Sequence, residues 1–388
     1  MSLKLPEVVE KGTHQATGPL RVAIVTASLG LAGAEKQAFY MARSLAEAGV
    51  NVRVLNLSRG GEYEELLGKM NVPSTCFGWV PGMPFRLMLL IAALWRFRPN
   101  IIQSVHAYTN IYSGIAGRVL RAVSIGGLRS DLGAHFDDNG PFSRLLLTLP
   151  DAIAVNSQKA LDDLRQSRLL DSSRVYFLPN AIDLKPYPEW RQNDTECTCI
   201  CVSRFHSAKR LDVFIRALAA ARREYAGLKG ILVGYGPETD RLQKLAAELG
   251  LGPDALVFLG FREDIAALLQ SASMFVFCSE SEGTPNVILE AMAAGLPVVT
   301  TPAGDAADVV KPAEAGCVVP FGDVEATAAA IVRLARSPAL RRKLGKAGRK
   351  YVARNRACSE IAGRLMEIYA DVSRTCGRAG SLFERIPR

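Results

Sequence analysis

Residues 274–300 read MFVFCSESEGTPNVILEAMAAGLPVVT. The run opens on five apolar residues, 274–278, enough for a short strand and too few for a helix. A polar loop follows. Residues 285–294 then have helical character, with Thr284 placed to cap and Pro285 at the first helical position, where its missing N–H costs nothing. A second short apolar run, 297–300, closes the stretch. Strand, helix, strand at this spacing is a βαβ unit, which pairs its two strands in parallel.

The alternation continues upstream. Strand-like runs at 198–202, 230–233 and 256–259 are separated by helical stretches at 211–223, 238–248 and 264–270. Further upstream lie strands at 22–27, 51–57, 100–105, 123–127, 151–156 and 174–178, with helices at 35–48, 85–97 and 158–165 among them. The strands are short and apolar on both faces, as a parallel sheet covered by helices on both sides requires. Between the two series, residues 180–195 (NAIDLKPYPEWRQNDT) carry prolines and polar residues without periodicity, which reads as a linker. The fold class expected is α/β: two Rossmann-like, doubly wound domains facing across a cleft. The first spans 20–182, the linker 183–196 and the second 197–357. Ligand-binding loops belong at the carboxyl ends of the strands.

Bulk properties fit this organisation. A chain of 388 residues is too long for one ordinary core. Its 49% hydrophobic and 22% charged residues are those of a globular protein. No uninterrupted apolar run reaches the roughly 18 residues of a membrane span, and the first nineteen residues are polar, which predicts a loose leader and a cytoplasmic location. Cys197, Cys199 and Cys201 are spaced at two, so on a strand they share one face. A buried face explains them better than zinc, whose sites need a second ligand pair, and no metal is expected. The charge is 47 − 38 = +9. Between Glu325 and Glu360 there is no acid and there are ten basic residues, from Arg333 to Arg356. They read as a solvated helical face, with an anionic lipid patch as the alternative.

Four short segments carry candidate chemistry. In the first, Glu282 and Glu290 are eight residues apart, so both carboxylates can face one ligand, while the free amides of Asn286 and Val287 offer a phosphate site. Hydroxyls of a sugar and a ribose would satisfy such acids. Two surface glutamates flanking an ordinary helix start are the alternative. The second, 202–209 (VSRFHSAK), places Arg204 and Lys209 at a strand-to-helix turn, where they could neutralise a departing diphosphate. Ordinary loop residues would look similar; position at a strand end of the same sheet favours function. The third, 28–36 (SLGLAGAEK), has Gly30 and Gly33 where backbone could approach a phosphate. It is neither a Walker loop nor G-x-G-x-x-G. Gly234 lies in a tight turn, 234–237. In the fourth, His106 ends strand 100–105 and points at the cleft, or packs as a core histidine. His135 lies in a polar loop that could border an acceptor.

Together these segments resemble family 4 of the glycosyltransferases, retaining enzymes of the GT-B fold, over residues 20 to 372. The family's G-G-A-E loop appears as Ala32-Gly33-Ala34-Glu35, its G-R-x4-K loop as residues 203–209, its L-V-G-x-G-P-E turn as 232–238, and its E-x7-E signature as Glu282 to Glu290. The resemblance implies that Arg204 and Lys209 bind the donor diphosphate and that Glu290 holds the ribose. It puts Glu282 on the transferred sugar, with Gly283, Thr284 and Pro285 beside the donor. It places Gly33 against the donor phosphate, Phe261 and Arg262 under the nucleobase, and His106 at the reaction centre. It also implies a final helix, 358–375, crossing back to the first domain. The chemistry implied is front-face displacement with retention and without metal or other cofactor, the leaving diphosphate taking the acceptor's proton. Ser203 and Ala32 depart from the family's glycines.

The partners expected are a nucleotide-diphosphate-sugar donor, a uridine diphosphate sugar by family frequency, and a glycan or lipid-linked acceptor. The inner face of the cytoplasmic membrane is a further expected partner, and nucleic acid is not one. Residues 85–98 (FRLMLLIAALWRFR) read as a sheet-covering helix, or else as a peripheral membrane helix anchored by Trp95. On the second reading a lipid-linked acceptor would follow, and the resemblance implies a role in surface polysaccharide or glycolipid synthesis. A nucleotide-sugar epimerase of the same fold and a non-catalytic nucleotide-sugar binder are the alternatives.

Overall fold

The structure is a computed structural model and describes residues 19–80, 82–188 and 196–378. The first half runs β1 (Arg21–Thr26), α1 (Gly33–Glu47), β2 (Asn51–Asn56), α2 (Glu62–Lys69), β3 (Ser74–Cys76), α3 (Met83–Phe97), β4 (Ile101–Ser104) and α4 (Asn110–Leu120). It continues through β5 (Val123–Leu128), α5 (Leu132–Asn139), α6 (Ser143–Thr148), β6 (Ala152–Val155), α7 (Gln158–Ser167) and β7 (Val175–Phe177). The second half runs β8 (Cys197–Val202), α8 (Leu211–Glu224), β9 (Leu228–Val233), α9 (Thr239–Glu248), β10 (Leu256–Gly260), α10 (Ile265–Ser271), β11 (Met274–Phe277) and α11 (Asn286–Ala293). It ends with β12 (Val298–Thr300), α12 (Ala306–Val310), β13 (Gly316–Val318), α13 (Val324–Arg336), α14 (Pro338–Asn355) and α15 (Ile361–Thr375).

The strands form two all-parallel sheets, ordered β3-β2-β1-β4-β5-β6-β7 and β10-β9-β8-β11-β12-β13. Both are doubly wound, and both reverse direction beside their first strand: between β1 and β4, and between β8 and β11. At such a reversal the flanking loops diverge and leave a crevice at the strand carboxyl ends. The loops after β1, β4, β8 and β11 are those with the glycine segment, His106, the Arg204–Lys209 turn and Glu282. The fold therefore delivers all four candidate segments to two facing crevices.

Each sheet is buried on both faces. Val22 and Ile24 of β1 pack with Leu45 of α1, and Ala23 and Val25 pack with Leu90 and Leu94 of α3. In the second sheet Cys197, Cys199 and Cys201 lie 5%, 0% and 1% exposed on one face of β8, among Phe214 and Leu218 of α8 and Ile331 of α13. Burial pushes the Cys199 and Cys201 thiols up, so they serve as small apolar side chains.

The chain crosses back once. Ile182 pairs with the segment 356–358 in an isolated parallel bridge: Ile182 N donates to Arg356 O at 2.8 Å, and Cys358 N to Ile182 O at 3.1 Å. Beyond this crossing α15 buries Leu365, Tyr369 and Val372 in the first domain's core, against α1. The final helix thus belongs to the domain built first.

Several elements were not read from sequence. Strands β3 and β13 have three residues each, and α2, α4, α5, α6 and α12 lack a clear apolar stripe. Half of the expected linker, residues 189–195, lies outside the described residues, as do 1–18 of the expected leader. The basic run is only partly a solvated face. Arg341 is 2% exposed and donates to Leu334 O and Ala335 O, satisfying the last carbonyls of α13. Arg349 donates to Tyr187 O and Pro188 O, tying α14 to the first part of the linker. Helix α3 covers the sheet through Leu90 and Leu94, yet Phe85, Met88 and Trp95 on its other side are 63%, 57% and 65% exposed.

Candidate functional site in the interdomain cleft

Helix α11 begins one residue later than the sequence suggests. Pro285 is extended (φ −72°, ψ 113°) and occupies the flanking position, and Asn286 is the first helical residue. Thr284 is therefore not the cap. Its hydroxyl donates to Asn156 O at 2.7 Å and to Asp305 Oδ2 at 3.2 Å, in a buried seam between the domains where that carbonyl has need of a donor. Asn286 faces the other way. Its amide donates to Gly33 O at 2.8 Å, and its carbonyl oxygen accepts from Asn180 Nδ2 (2.8 Å) and Gln37 Nε2 (3.2 Å).

The two carboxylates expected to meet the donor each carry a cation. Glu282 pairs with Lys209 inside the second domain. Glu290 pairs with Lys36 of the first domain, Nζ to Oε1 at 2.6 Å. Paired in this way, acids can stand beside a diphosphate without prohibitive repulsion. Burial works to lower the Lys36 ammonium, and its surroundings, the Glu290 carboxylate foremost with Tyr40 and Tyr63, together hold it up. Arg204 is exposed to the cleft and makes no ion pair with a described residue.

The cleft has a volume of about 480 Å³ and is walled by both domains. Gly33, Arg204, Lys209, Gly234, Phe261, Arg262, the run Glu282, Gly283, Thr284, Pro285, Asn286 and Val287, and Glu290 all line it. Gly30 and His106 do not. A Cβ on Gly30 would meet only the Glu62 carboxylate, at 4.0 Å. The His106 ring sits behind the wall: Nδ1 accepts from Ala27 N at 3.3 Å, which leaves the proton on Nε2, 3.5 Å from Glu35 Oε1. Burial alone would raise Glu35, but His106 and Ser28 together hold it below the usual carboxylate range. His135 is 1% exposed and its Nε2 lies 3.0 Å from Ser143 O, so it is a packed residue of α5.

Two glycines have reasons the sequence did not reveal. A Cβ on Gly33 would come 2.8 Å from Asn286 Nδ2, and one on Gly283 would come 2.5 Å from Arg129 O. Both close approaches are between domains. At Gly234, φ is +131°, which only glycine adopts at ease.

Lys36, Arg129, Asn156, Asn180 and Tyr235 also line the cleft and were missed. Arg129 directly follows β5, donates to Val105 O and Asn180 Oδ1, and makes no ion pair with a carboxylate among the described residues. Burial pushes its guanidinium down to about 10, with only Glu35 opposing. Tyr235 and Phe261 meet edge to face at 6.2 Å, both more than half exposed, at the mouth of the cleft. Their signals were faint: Lys36 merely follows the A-G-A-E segment, and Arg129 follows a strand as His106 does. No three His, Cys, Asp or Glu side chains among the described residues converge as metal ligands.

Comparison with known proteins agrees with this geometry. A sequence model described as Glycosyltransferase Family 4 matches residues 31–186, and one described as Glycosyl transferases group 1 matches 187–351. The chain is 31% identical over 201 residues to N-acetyl-alpha-D-glucosaminyl L-malate synthase of Bacillus anthracis, covering 52% of each chain. It is 32% identical over 177 residues to a GDP-mannose-dependent alpha-(1-6)-phosphatidylinositol monomannoside mannosyltransferase of Mycolicibacterium smegmatis, covering 44% of this chain and 46% of that one. The matches to these curated relatives thus span about half their length. In fold, Anabaena HepE, solved in complex with UDP-glucose, superimposes with a TM-score of 0.78 at 19% identity, over 93% of this chain and 100% of that one. Two parallel-sheet domains, the four segments in order and these matches establish that the chain belongs to glycosyltransferase family 4.

Proposed function

We propose that this chain transfers a sugar from a nucleotide diphosphate donor to an acceptor hydroxyl, with retention at the anomeric carbon and without a metal ion. One observation carries the reading. Arg204, Lys209 and the start of α11 converge on one wall of the cleft, beside two carboxylates, Glu282 from the loop before α11 and Glu290 from the helix itself. The cations and helix amides suit the diphosphate, and the carboxylates suit sugar and ribose hydroxyls. The bond from the anomeric carbon to the diphosphate oxygen breaks, and its electron pair leaves with the phosphate, whose growing charge Arg204 and Lys209 stabilise. The acceptor oxygen bonds to the same face of that carbon, and its proton passes to the departing phosphate oxygen.

A uridine diphosphate sugar is the donor we favour. HepE, of the same fold, was solved with UDP-glucose, whereas the mycobacterial relative is named for GDP-mannose. The exposed Tyr235–Phe261 pair offers a base a face to stack on. The acceptor domain carries the half-exposed aromatic side of α3. Its sequence has no acid between Glu65 and Asp131, against seven cations. A glycan or lipid-linked acceptor presented at the inner face of the cytoplasmic membrane, in surface polysaccharide or glycolipid synthesis, suits that surface. No described helix is long and apolar enough to cross a membrane.

Thermal stabilisation by uridine and guanosine diphosphates and their sugar conjugates, with chelator present, tests the reading. At a hundred times its dissociation constant a ligand adds about 2.7 kcal/mol. One nucleotide series should stabilise the wild type, with the effect reduced in Glu290→Ala and in Lys209→Ala. Stabilisation by neither series would overturn the donor assignment. Binding without transfer or hydrolysis of the sugar would favour a non-catalytic binder.

A further inference from the structure

We propose that Lys36 is a positioning residue that fixes Glu290 for the nucleotide ribose, so that the ribose is read only when the two domains are shut. The inference rests on the reading of Glu290 as the ribose acceptor. Three observations carry it. First, Lys36 and Glu290 lie 254 residues apart, in different domains, and meet at 2.6 Å. Second, the Glu290 side chain is 5% exposed, and Oε1 takes the lysine while Oε2 has no protein partner among the described residues. One oxygen is thus anchored and the other is left facing the cleft that Lys36 also lines. Third, Lys36 stands in the first turn of α1, where the helix dipole disfavours a cation. Such a placement calls for a compensating acid, and the acid is Glu290.

The residues around the pair make it a seam and not a chance contact. Gln37, next along, donates to Ala181 O at 2.8 Å and to Asn286 Oδ1. Asn286 in turn donates to Gly33 O. The start of α1 is therefore keyed to α11 at three points, Gly33, Lys36 and Gln37, and Lys36 is the charged one. With the domains apart, Glu290 would be a lone carboxylate beside a diphosphate site, repelling the ligand and free to rotate. With them together, it is neutralised and aimed.

The test is the affinity of uridine diphosphate against its 2′-deoxy and 3′-deoxy analogues, measured by calorimetry, with the guanosine series run alongside. A hydroxyl bonded to a carboxylate should favour the ribonucleotide by about tenfold or more. The inference expects that preference to vanish in Glu290→Ala and to fall below about threefold in Lys36→Met. It should survive in Lys36→Arg, and adding Lys36→Met to Glu290→Ala should change it no further. If Glu290→Ala abolishes the preference while Lys36→Met leaves it intact, Lys36 is only structural and the inference fails, whatever the melting temperature does. If Glu290→Ala leaves the preference unchanged, the ribose reading itself fails and takes the inference with it. Lys36→Gln, which is one atom shorter, polar and uncharged, replaces Lys36→Met should the latter not fold.

Discussion

At the residue scale, the groups that sequence identifies well are those whose meaning is local. Arg204 and Lys209 share one turn, and Glu282 and Glu290 share one loop and helix, so spacing alone aligns them. Lys36 and Arg129 escaped because their significance lies in partners on the other domain or in the absence of one. Gly33 and Gly283 stand out in the sequence as donor-side glycines; the structure adds that each makes room for the opposite domain. This makes Gly283 a test of closure. A methyl there would press on the Arg129 carbonyl, backbone against backbone, and the domains must part to relieve it. Gly283→Ala should weaken nucleotide diphosphate binding by about tenfold, on the order of 1–3 kcal/mol of overpacking. The ligand-free melting temperature should barely change. Unaltered affinity by calorimetry would show that the closed contact is not required for binding.

At the element scale, strands and amphipathic helices were legible because their period repeats, whereas three-residue edge strands and helix boundaries were not. The start of α11 moved by one residue because Thr284 finds a better partner in Asn156 O than in its own helix, which no local rule reports. Helix α3 was read as a choice between covering the sheet and meeting a membrane. Its two faces do the former and leave surface for the latter: Leu90 and Leu94 inward, Phe85, Met88 and Trp95 outward. With Arg96 and Arg98 at its end and about 1 kcal/mol for each cation near an anionic surface, the chain should sediment with vesicles containing phosphatidylglycerol and not with pure phosphatidylcholine. Phe85→Glu with Trp95→Glu should abolish sedimentation and leave nucleotide binding untouched. Equal sedimentation of wild type and variant would remove α3 from the acceptor-side reading.

At the scale of the whole molecule, the two-domain plan was plain from the alternation of short strands and helices, and the chain's return to the first domain came only with the family resemblance. Nothing in residues 361–375 says which core they join; their apolar stripe fits many partners. Yet Leu365, Tyr369 and Val372 are at most 2% exposed within the first domain. Burial of each is worth about 1.5–3 kcal/mol. A chain ending at residue 360 should therefore lose several kcal/mol from the first domain alone. Its melting curve should split, with the second domain's transition kept and the first moved far down. A single unshifted transition would mean that α15 is dispensable.

The same return sets a timetable for synthesis. The Tyr176 hydroxyl bonds Asp371 at 2.6 Å across 195 residues. At about 5–20 residues per second, a ribosome needs roughly 10 to 40 s to travel from one to the other. During that interval the first domain has its sheet but not its last helix, and α1 shows bare apolar surface. The second domain, later to start, has its strands complete before the first can close. A chaperone that covers α1 would be needed most in this window, and the half built first would be the last to reach its native state.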